Sequence, residues 1–275
     1  MLVDLHMHTY YSDGSLSPTE LVRVAKEKGL GMISITDHNA LDSYEEAAAA
    51  CSEAGIRLIK GVELDCLYAD RTVHVLAYDF EPTKEFMAMV NKSRFELDHI
   101  GDKLIAKMEK DYDIVSVADY EQYKHDRTKG GWKGIHYLHD LKLTTTLLDG
   151  MRFYKEYGCT HATCDFPTVE EACRLIHKSG GVAVLAHPGK YYGNSPISEL
   201  EDALEDLRLK GIDGVECYYP IHSEALTKTC VDFCNTHDLM VTVGCDCHGE
   251  FLKKNPNSYN MGCVSKNASE LRLRF

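Results

Sequence analysis

The chain has 275 residues, 44% hydrophobic and 27% charged, with a formal net charge of −13. That composition suits a globular protein with a large core, and so acidic a surface repels phosphate backbones, which argues against a long nucleic-acid duplex as partner. No apolar run reaches bilayer length, and Met1-Leu2-Val3-Asp4-Leu5-His6 has neither a basic nor an apolar leader region, so a cytoplasmic protein without membrane attachment is expected.

Leu2 to Leu5 reads as a short strand. Ser17-Pro18-Thr19-Glu20 starts a helix, with Ser17 as N-cap and Pro18 at the first helical position, and that helix stops at Gly29. Met32 to Thr36 is an apolar strand, Leu41 to Ala54 an Ala/Glu-rich helix, and Ile56 to Glu63 and Thr72 to Ala77 two further strands. From Pro82 to Phe166 the pattern changes to polar residues at helical spacing, with a loop at Lys124 to Lys133 around Gly130-Gly131. The alternation then resumes: helix Thr168 to Ser179, strand Val182 to Ala186, helix Ile197 to Lys210, strand Gly214 to Tyr218, helix His222 to His237 and strand Met240 to Gly244. Such alternation predicts a parallel sheet, open or closed into a barrel. It divides the chain into a barrel domain, 1–81 with 167–275, and a helical insertion, 82–166, over the active-site face.

The eleven cysteines form no regular spacing and are expected as reduced thiols. Cys159, Cys164, Cys245 and Cys247 lack partner pairs at zinc-ribbon spacing and read as small core hydrophobes.

Metal-ligand residue types recur at or near the strand ends. His6 and His8 are two apart on the first strand and share one face. Asp13 follows in the next loop, His38 follows the second strand, Glu63 ends the third, and His74 lies on the fourth. His187 follows the strand at 182–186, and Asp246 and His248 follow the last. Parallel barrel strands bring their C-terminal ends to one face, where these nine residues would converge. His222, a few residues past the strand at 214–218, would lie there too and is expected to contact a substrate phosphate or protonate a leaving oxygen. His99, His125, His139, His161, His177 and His237 fall in helices or loops and are assigned to surface or packing roles.

Five segments together resemble the PHP (polymerase and histidinol phosphatase) superfamily. They are Asp4-Leu5-His6-Met7-His8-Thr9 with Ser12-Asp13-Gly14; Ile35-Thr36-Asp37-His38-Asn39; Gly61-Val62-Glu63; Ala186-His187-Pro188; and Asp246-Cys247-His248-Gly249. The resemblance implies a distorted (β/α)7 TIM-like barrel and a metal-dependent phosphoesterase with two or three divalent ions. One site would use His6, His8, Glu63 and Asp246, a second Glu63, His74 and His187, and a third Asp13, His38 and His248. Many relatives carry His where Asp13 stands, which implies a different metal preference at the third site. Imidazole and carboxylate donors suit Zn, Mn or Fe. Three such ions bring about +6 against about −3 from Asp13, Glu63 and Asp246, a positive pocket in an acidic protein.

Within the superfamily the chain is most similar to the TrpH-like branch, which implies hydrolysis of nucleoside phosphates, 3′,5′-bisphosphates among them, or of short RNA 5′ ends. The insertion after His74 and the segment Val215-Glu216-Cys217-Tyr218-Tyr219 with His222 fit that branch. Relatives carry Arg-Pro-His-Phe where this chain has Lys133-Gly134-Ile135-His136-Tyr137, so Lys133 and His136 stand as the substrate-binding candidates. A small phosphorylated substrate is the expected partner. The competing readings are histidinol phosphatase, barrel amidohydrolase and a non-catalytic nucleotide-binding module.

Overall fold

A computed structural model describes residues 1–251 and 260–275. In chain order the elements are β1 (Leu2–Asp4), α1 (Pro18–Glu27), β2 (Leu30–Ile35), α2 (Tyr44–Ala54), β3 (Arg57–Tyr68), β4 (Arg71–Tyr78), α3 (Lys84–Met108), α4 (Val117–Gln122), α5 (Lys133–Asp140), α6 (Met151–Glu156), α7 (Val169–Lys178), β5 (Val182–Leu185), α8 (Pro188–Tyr192), α9 (Ile197–Leu209), β6 (Gly214–Tyr218), α10 (Glu224–Thr236), β7 (Met240–Val243) and β8 (Lys266–Asn267).

The strands form one sheet in the order β7-β6-β5-β4-β3-β2-β1-β8. It curls until the residues after β1 meet those after β7: Leu5 N–H donates to Val243 O at 3.0 Å, Asp246 N–H to His6 O at 2.8 Å, and His8 N–H to Cys247 O at 2.9 Å. One apolar cluster takes Val3 from β1, Met32 from β2, Ile59 from β3, Leu76 and Tyr78 from β4, Val184 from β5 and Met240 and Val243 from β7. Residues from so many strands touch only inside a closed sheet, so this cluster fills the barrel. Leu271, Leu273 and Phe275 pack against it from the chain's end. Two further clusters bury the outer faces of the strands under the helices. The architecture is the TIM-like barrel the sequence implied.

The sheet is not uniformly parallel, which corrects the expectation from the alternation. β4 runs antiparallel to both β3 and β5. Only Ala69 and Asp70 separate β3 from β4, and a two-residue link can join antiparallel strands but not parallel ones. Ala69 takes φ 52° to make the turn. β3 also continues five residues past Glu63. The reversal decides where His74 sits. It lies early in β4, opposite Asp65 in the outer part of β3, and so reaches the same end of the barrel as residues that follow parallel strands.

Helix α1 begins as read: Ser17 Oγ accepts from Glu20 N–H at 3.1 Å and Glu20 Oε2 from Ser17 N–H at 3.0 Å, with Pro18 in the first turn. α3 serves two cores. Phe86, Met89 and Val90 pack with the barrel, while Leu97, Ile100, Leu104, Ile105 and Met108 pack with α4, α5 and α6 in a separate cluster. All cysteines are buried except Cys263. No helix among the described residues is long and apolar enough to cross a membrane.

Candidate metal centre and adjoining cavity

Glu63 is the hub of the site. Its side chain is fully buried. Oε2 lies 3.0 Å from His6 Nε2, 3.1 Å from His8 Nε2 and 3.4 Å from His38 Nε2. Oε1 lies 2.7 Å from His74 Nδ1 and 2.9 Å from His187 Nε2. Asp246 Oδ1 faces His8 Nε2 at 3.1 Å and His6 Nε2 at 3.5 Å. Asp13 Oδ2 is 3.2 Å from His248 Nε2, and Asp13 Oδ1 3.7 Å from His8 Nδ1. All nine residues singled out at the strand ends therefore meet at one end of the barrel.

Backbone geometry accounts for the convergence. Thr36 N–H donates to Met7 O and Glu63 N–H to Thr36 O, so the ends of three strands stay in step. His187 and Asp246 take left-handed backbone with φ 30° and 53°. Such strain in non-glycine residues persists where surrounding contacts impose it, and it gathers at functional sites. Gly244 must be glycine: a Cβ there would lie 2.2 Å from Glu216 Oε1 and 2.3 Å from His6 Cβ.

The donor set fits divalent cations. Four groups bring their ligand atoms within 4.8 Å of one another: His6, His8, Glu63 and Asp246; Glu63, His74 and His187; His8, Asp13, His38 and His248; and His38, Asp65 and His74. His8 Nε2, His38 Nδ1, Asp65 Oδ1, His187 Nδ1 and Asp246 Oδ1 are buried without a hydrogen-bond partner. Buried polar atoms are ordinarily paired, and mixed imidazole and carboxylate donors at this density suit Zn, Mn or Fe.

In the metal-free chain these groups neutralise one another with protons. Burial pushes the His8 imidazole down, but Asp246 and Glu63 overcome it and raise the group to about 10. His74, likewise opposed by burial, is raised to about 9 by Glu63 and Asp65. His38 is lowered to about 4, burial outweighing the attraction of Glu63. Burial also works against ionised Glu63 and Asp246, yet the histidines around Glu63, and Lys190 with His6 beside Asp246, hold both well below the usual carboxylate range.

Several residues here escaped the sequence reading. Glu216 Oε1 is 3.0 Å from His6 Nδ1, and Oε2 accepts from His187 N–H at 2.8 Å, so one carboxylate orients two candidate ligands. A lone Glu within the apolar strand Gly214–Tyr218 was the available signal. Asp65, two residues past Glu63, shares its face of β3, the same i, i+2 signal that paired His6 with His8. Asp37 accepts from Thr9 N–H, Thr9 Oγ1 and Ser12 Oγ at 2.7–2.8 Å and shapes the loop that carries Asp13. Lys190 Nζ contacts Asp246 Oδ2 at 2.5 Å, and Tyr219 Oη donates to the same oxygen at 3.0 Å. Asp65 and Glu216 add two carboxylates to the three of the ligand set and Lys190 offsets one, so the pocket is less positive than the ligand residues alone imply.

The acid role expected for His222 does not fit this geometry. Its Nδ1–H donates to Cys217 O at 2.9 Å and its Nε2 accepts from Gly189 N–H at 3.0 Å. Both nitrogens are engaged with backbone, and burial lowers the group to about 4. The ring ties β6 to the start of α8. His136 likewise faces backbone, its Nε2 at 2.8 Å from Gly130 O. It buttresses the loop whose Gly131 N–H donates to Asp13 O at 2.8 Å. Lys133 lies over the Tyr120 ring at 4.3 Å and lines a cavity.

That cavity, about 770 Å³, opens beside His38 between the barrel and α3, α5 and α6. Arg94, Arg127, Lys133 and Lys155 line it, with Tyr120, Trp132 and Tyr154 supplying aromatic wall and Asp98 and Asp102 the acidic part. Arg94 also donates to Asp42 and to Tyr11 O, joining α3 to the barrel loops. His125 and His161, read as surface or packing residues, line it too.

Residues 4–138 match the family model described as PHP domain. The chain is 30% identical over 256 residues to a 5′-3′ exoribonuclease of Haemophilus influenzae, covering 89% of each chain. It is 27% identical over 256 residues to a 3′,5′-nucleoside bisphosphate phosphatase of Chromobacterium violaceum, covering 90% of this chain and 87% of that one. Among solved structures, a protein of Bifidobacterium adolescentis shares the fold with a TM-score of 0.80 at 24% identity, over 97% of this chain and 93% of that one.

Proposed function

The chain belongs to the PHP domain family and is a metal-dependent phosphoesterase, and on that premise we propose that it hydrolyses small nucleotide-like phosphate monoesters at the cluster around Glu63. In this reading His6, His8, Glu63 and Asp246 hold one divalent ion and Glu63, His74 and His187 a second. Asp13, His38 and His248 hold a third, drawn like the others from Zn, Mn or Fe. Bound there, such ions supply Lewis-acid polarisation of a phosphoryl oxygen and a lowered pKa for water.

The observation that carries the substrate reading is the cavity beside His38. At about 770 Å³ it is of the size that encloses a small organic ligand. A protein of net charge −13 gathers Arg94, Arg127, Lys133 and Lys155 there, and Arg pairs with phosphate oxygens in a bidentate fork. Tyr120 and Trp132 offer flat faces for a base. In this proposal residues 82–166 form the wall that binds the nucleoside part, orients the ester over the metal cluster and excludes bulk water. Arg94 and Arg127 take over the clamping expected at Lys133. The four cationic side chains outnumber Asp98 and Asp102 in the cavity, a balance that favours a doubly phosphorylated nucleoside over histidinol phosphate, which brings an ammonium and an imidazole. Its open side also admits the first nucleotide of a 5′-phosphorylated RNA, in line with the activity of the Haemophilus relative.

A phosphate-release panel tests this. Metal-reconstituted protein is expected to turn over a nucleoside 3′,5′-bisphosphate or a 5′-phosphorylated oligoribonucleotide at least tenfold faster than histidinol phosphate, a factor worth about 1.4 kcal/mol. Preference for histidinol phosphate, or hydrolysis of amides in place of esters, would overturn the proposal.

A further inference from the structure

We infer that Asp65 is a positioning residue that fixes the ring tautomers of His38 and His74 and so sets how tightly two of the metal ions are held. The inference rests on the ligand sets proposed above. His38 and His74 each turn one nitrogen toward Glu63, His38 through Nε2 at 3.4 Å and His74 through Nδ1 at 2.7 Å. Each turns its other nitrogen toward Asp65: His74 Nε2 lies 3.2 Å from Oδ1, and His38 Nδ1 lies 3.7 Å from Oδ2. One buried carboxylate therefore faces the outer nitrogens of two imidazoles that belong to different metal sites.

Asp65 is itself held from behind. Asn39 Nδ2 donates to Oδ2 at 2.6 Å, and Asp65 N–H donates to Asn39 Oδ1 at 3.3 Å. Asn39 takes φ 46°, a left-handed conformation that Asn accepts more readily than most residues, and this aims its amide at the carboxylate. His161, from the helical stretch over the barrel, brings Nδ1 to 4.0 Å from Oδ1. An ionised carboxylate only accepts hydrogen bonds. Its charge favours the ring forms that turn N–H toward it, Nε2–H in His74 across 3.2 Å and Nδ1–H in His38 across 3.7 Å, a separation longer than a hydrogen bond, leaving His38 Nε2 and His74 Nδ1 with free lone pairs toward Glu63. Such carboxylate–histidine pairs raise ligand basicity, and removing the carboxylate typically costs 10–100-fold in metal affinity.

Two measurements test the inference. In zinc-loaded wild-type protein, long-range 1H–15N correlation is expected to find the ring proton on Nδ1 of His38 and on Nε2 of His74. A proton on the opposite nitrogen of either ring overturns it. Chelator competition with manganese(II) is then expected to show two ions weakened 10–100-fold in Asp65→Asn, with the remaining ion held at wild-type affinity. Wild-type affinity for every ion in that variant also overturns it. If Asp65→Asn does not fold, the wild-type spectrum decides alone. Wild-type protein that takes up no ion would overturn the ligand sets together with this inference, whereas tight wild-type binding with no loss in Asp65→Asn would overturn this inference only.

Discussion

Five histidine rings crowd the two oxygens of Glu63. Glu63→Gln keeps the shape and removes the charge. It is expected to lower bound metal by at least one ion per chain and turnover by more than about 10³-fold, since removing a partner from a buried charged cluster leaves the others uncompensated. Metal analysis and phosphate release measure both, and full metal content would count against Glu63 as a shared ligand. His222→Ala is expected to lower kcat/KM by roughly 10–100-fold through the misplaced α8 segment. The loss should be equal for p-nitrophenyl and alkyl phosphates. A smaller loss on the p-nitrophenyl ester would restore the acid role. The candidate ligands were legible because each pairs a metal-binding side chain with a strand end. Asp65 and Glu216 left only weaker signals, an i, i+2 spacing from Glu63 and a lone Glu in an apolar strand, because a carboxylate that serves a histidine through space need not itself stand at a strand end. Only coordinates reveal that both nitrogens of His222, and Nε2 of His136, face backbone.

At the scale of elements, the α1 cap was readable in full, since Ser17, Pro18 and Glu20 state it locally. Ser17→Ala should cost about 1 kcal/mol, a fall in Tm of about 2–4 °C, readable by calorimetry on the metal-loaded protein. The reversal of β4 was hidden because Ala69-Asp70 lacks the Asn-Gly or Asp-Gly signature of a tight hairpin. Which face of 82–166 lines the cavity was also invisible, since Arg94, Arg127 and Lys133 come together only when α3 and α5 pack. Arg127→Ala is expected to raise KM for a nucleoside bisphosphate about tenfold, the loss of one charge-assisted contact. kcat on p-nitrophenyl phosphate, which is too small to reach that wall, should stay unchanged. Equal effects on both substrates would remove Arg127 from the binding surface.

For the whole molecule, the barrel brings sequence-distant ends to one centre, from His6 to His248, and bound ions cross-link them. Chelation should therefore lower Tm as well as activity, because ligands that bind only the native state stabilise it. The effect should depend on pH with a definite sign. In the metal-free chain His8 and His74 are raised to about 10 and about 9 from an ordinary 6.5. Their contribution to metal-free stability is thus complete below pH 6.5 and is lost as pH rises through 9 to 10. Metal uptake displaces those protons and grows more favourable over the same range. The Tm gap between loaded and stripped protein should widen from pH 6.5 to 9, and a gap that narrows would contradict the proton balance.

The central claim, phosphoester hydrolysis by a metal cluster built on Glu63, is tested most directly by phosphate release from a nucleoside 3′,5′-bisphosphate. Stripped and manganese-reloaded protein should be compared side by side, with metal content verified in both. Release confined to the reloaded protein is the predicted result, and equal release by verified metal-free protein would contradict it.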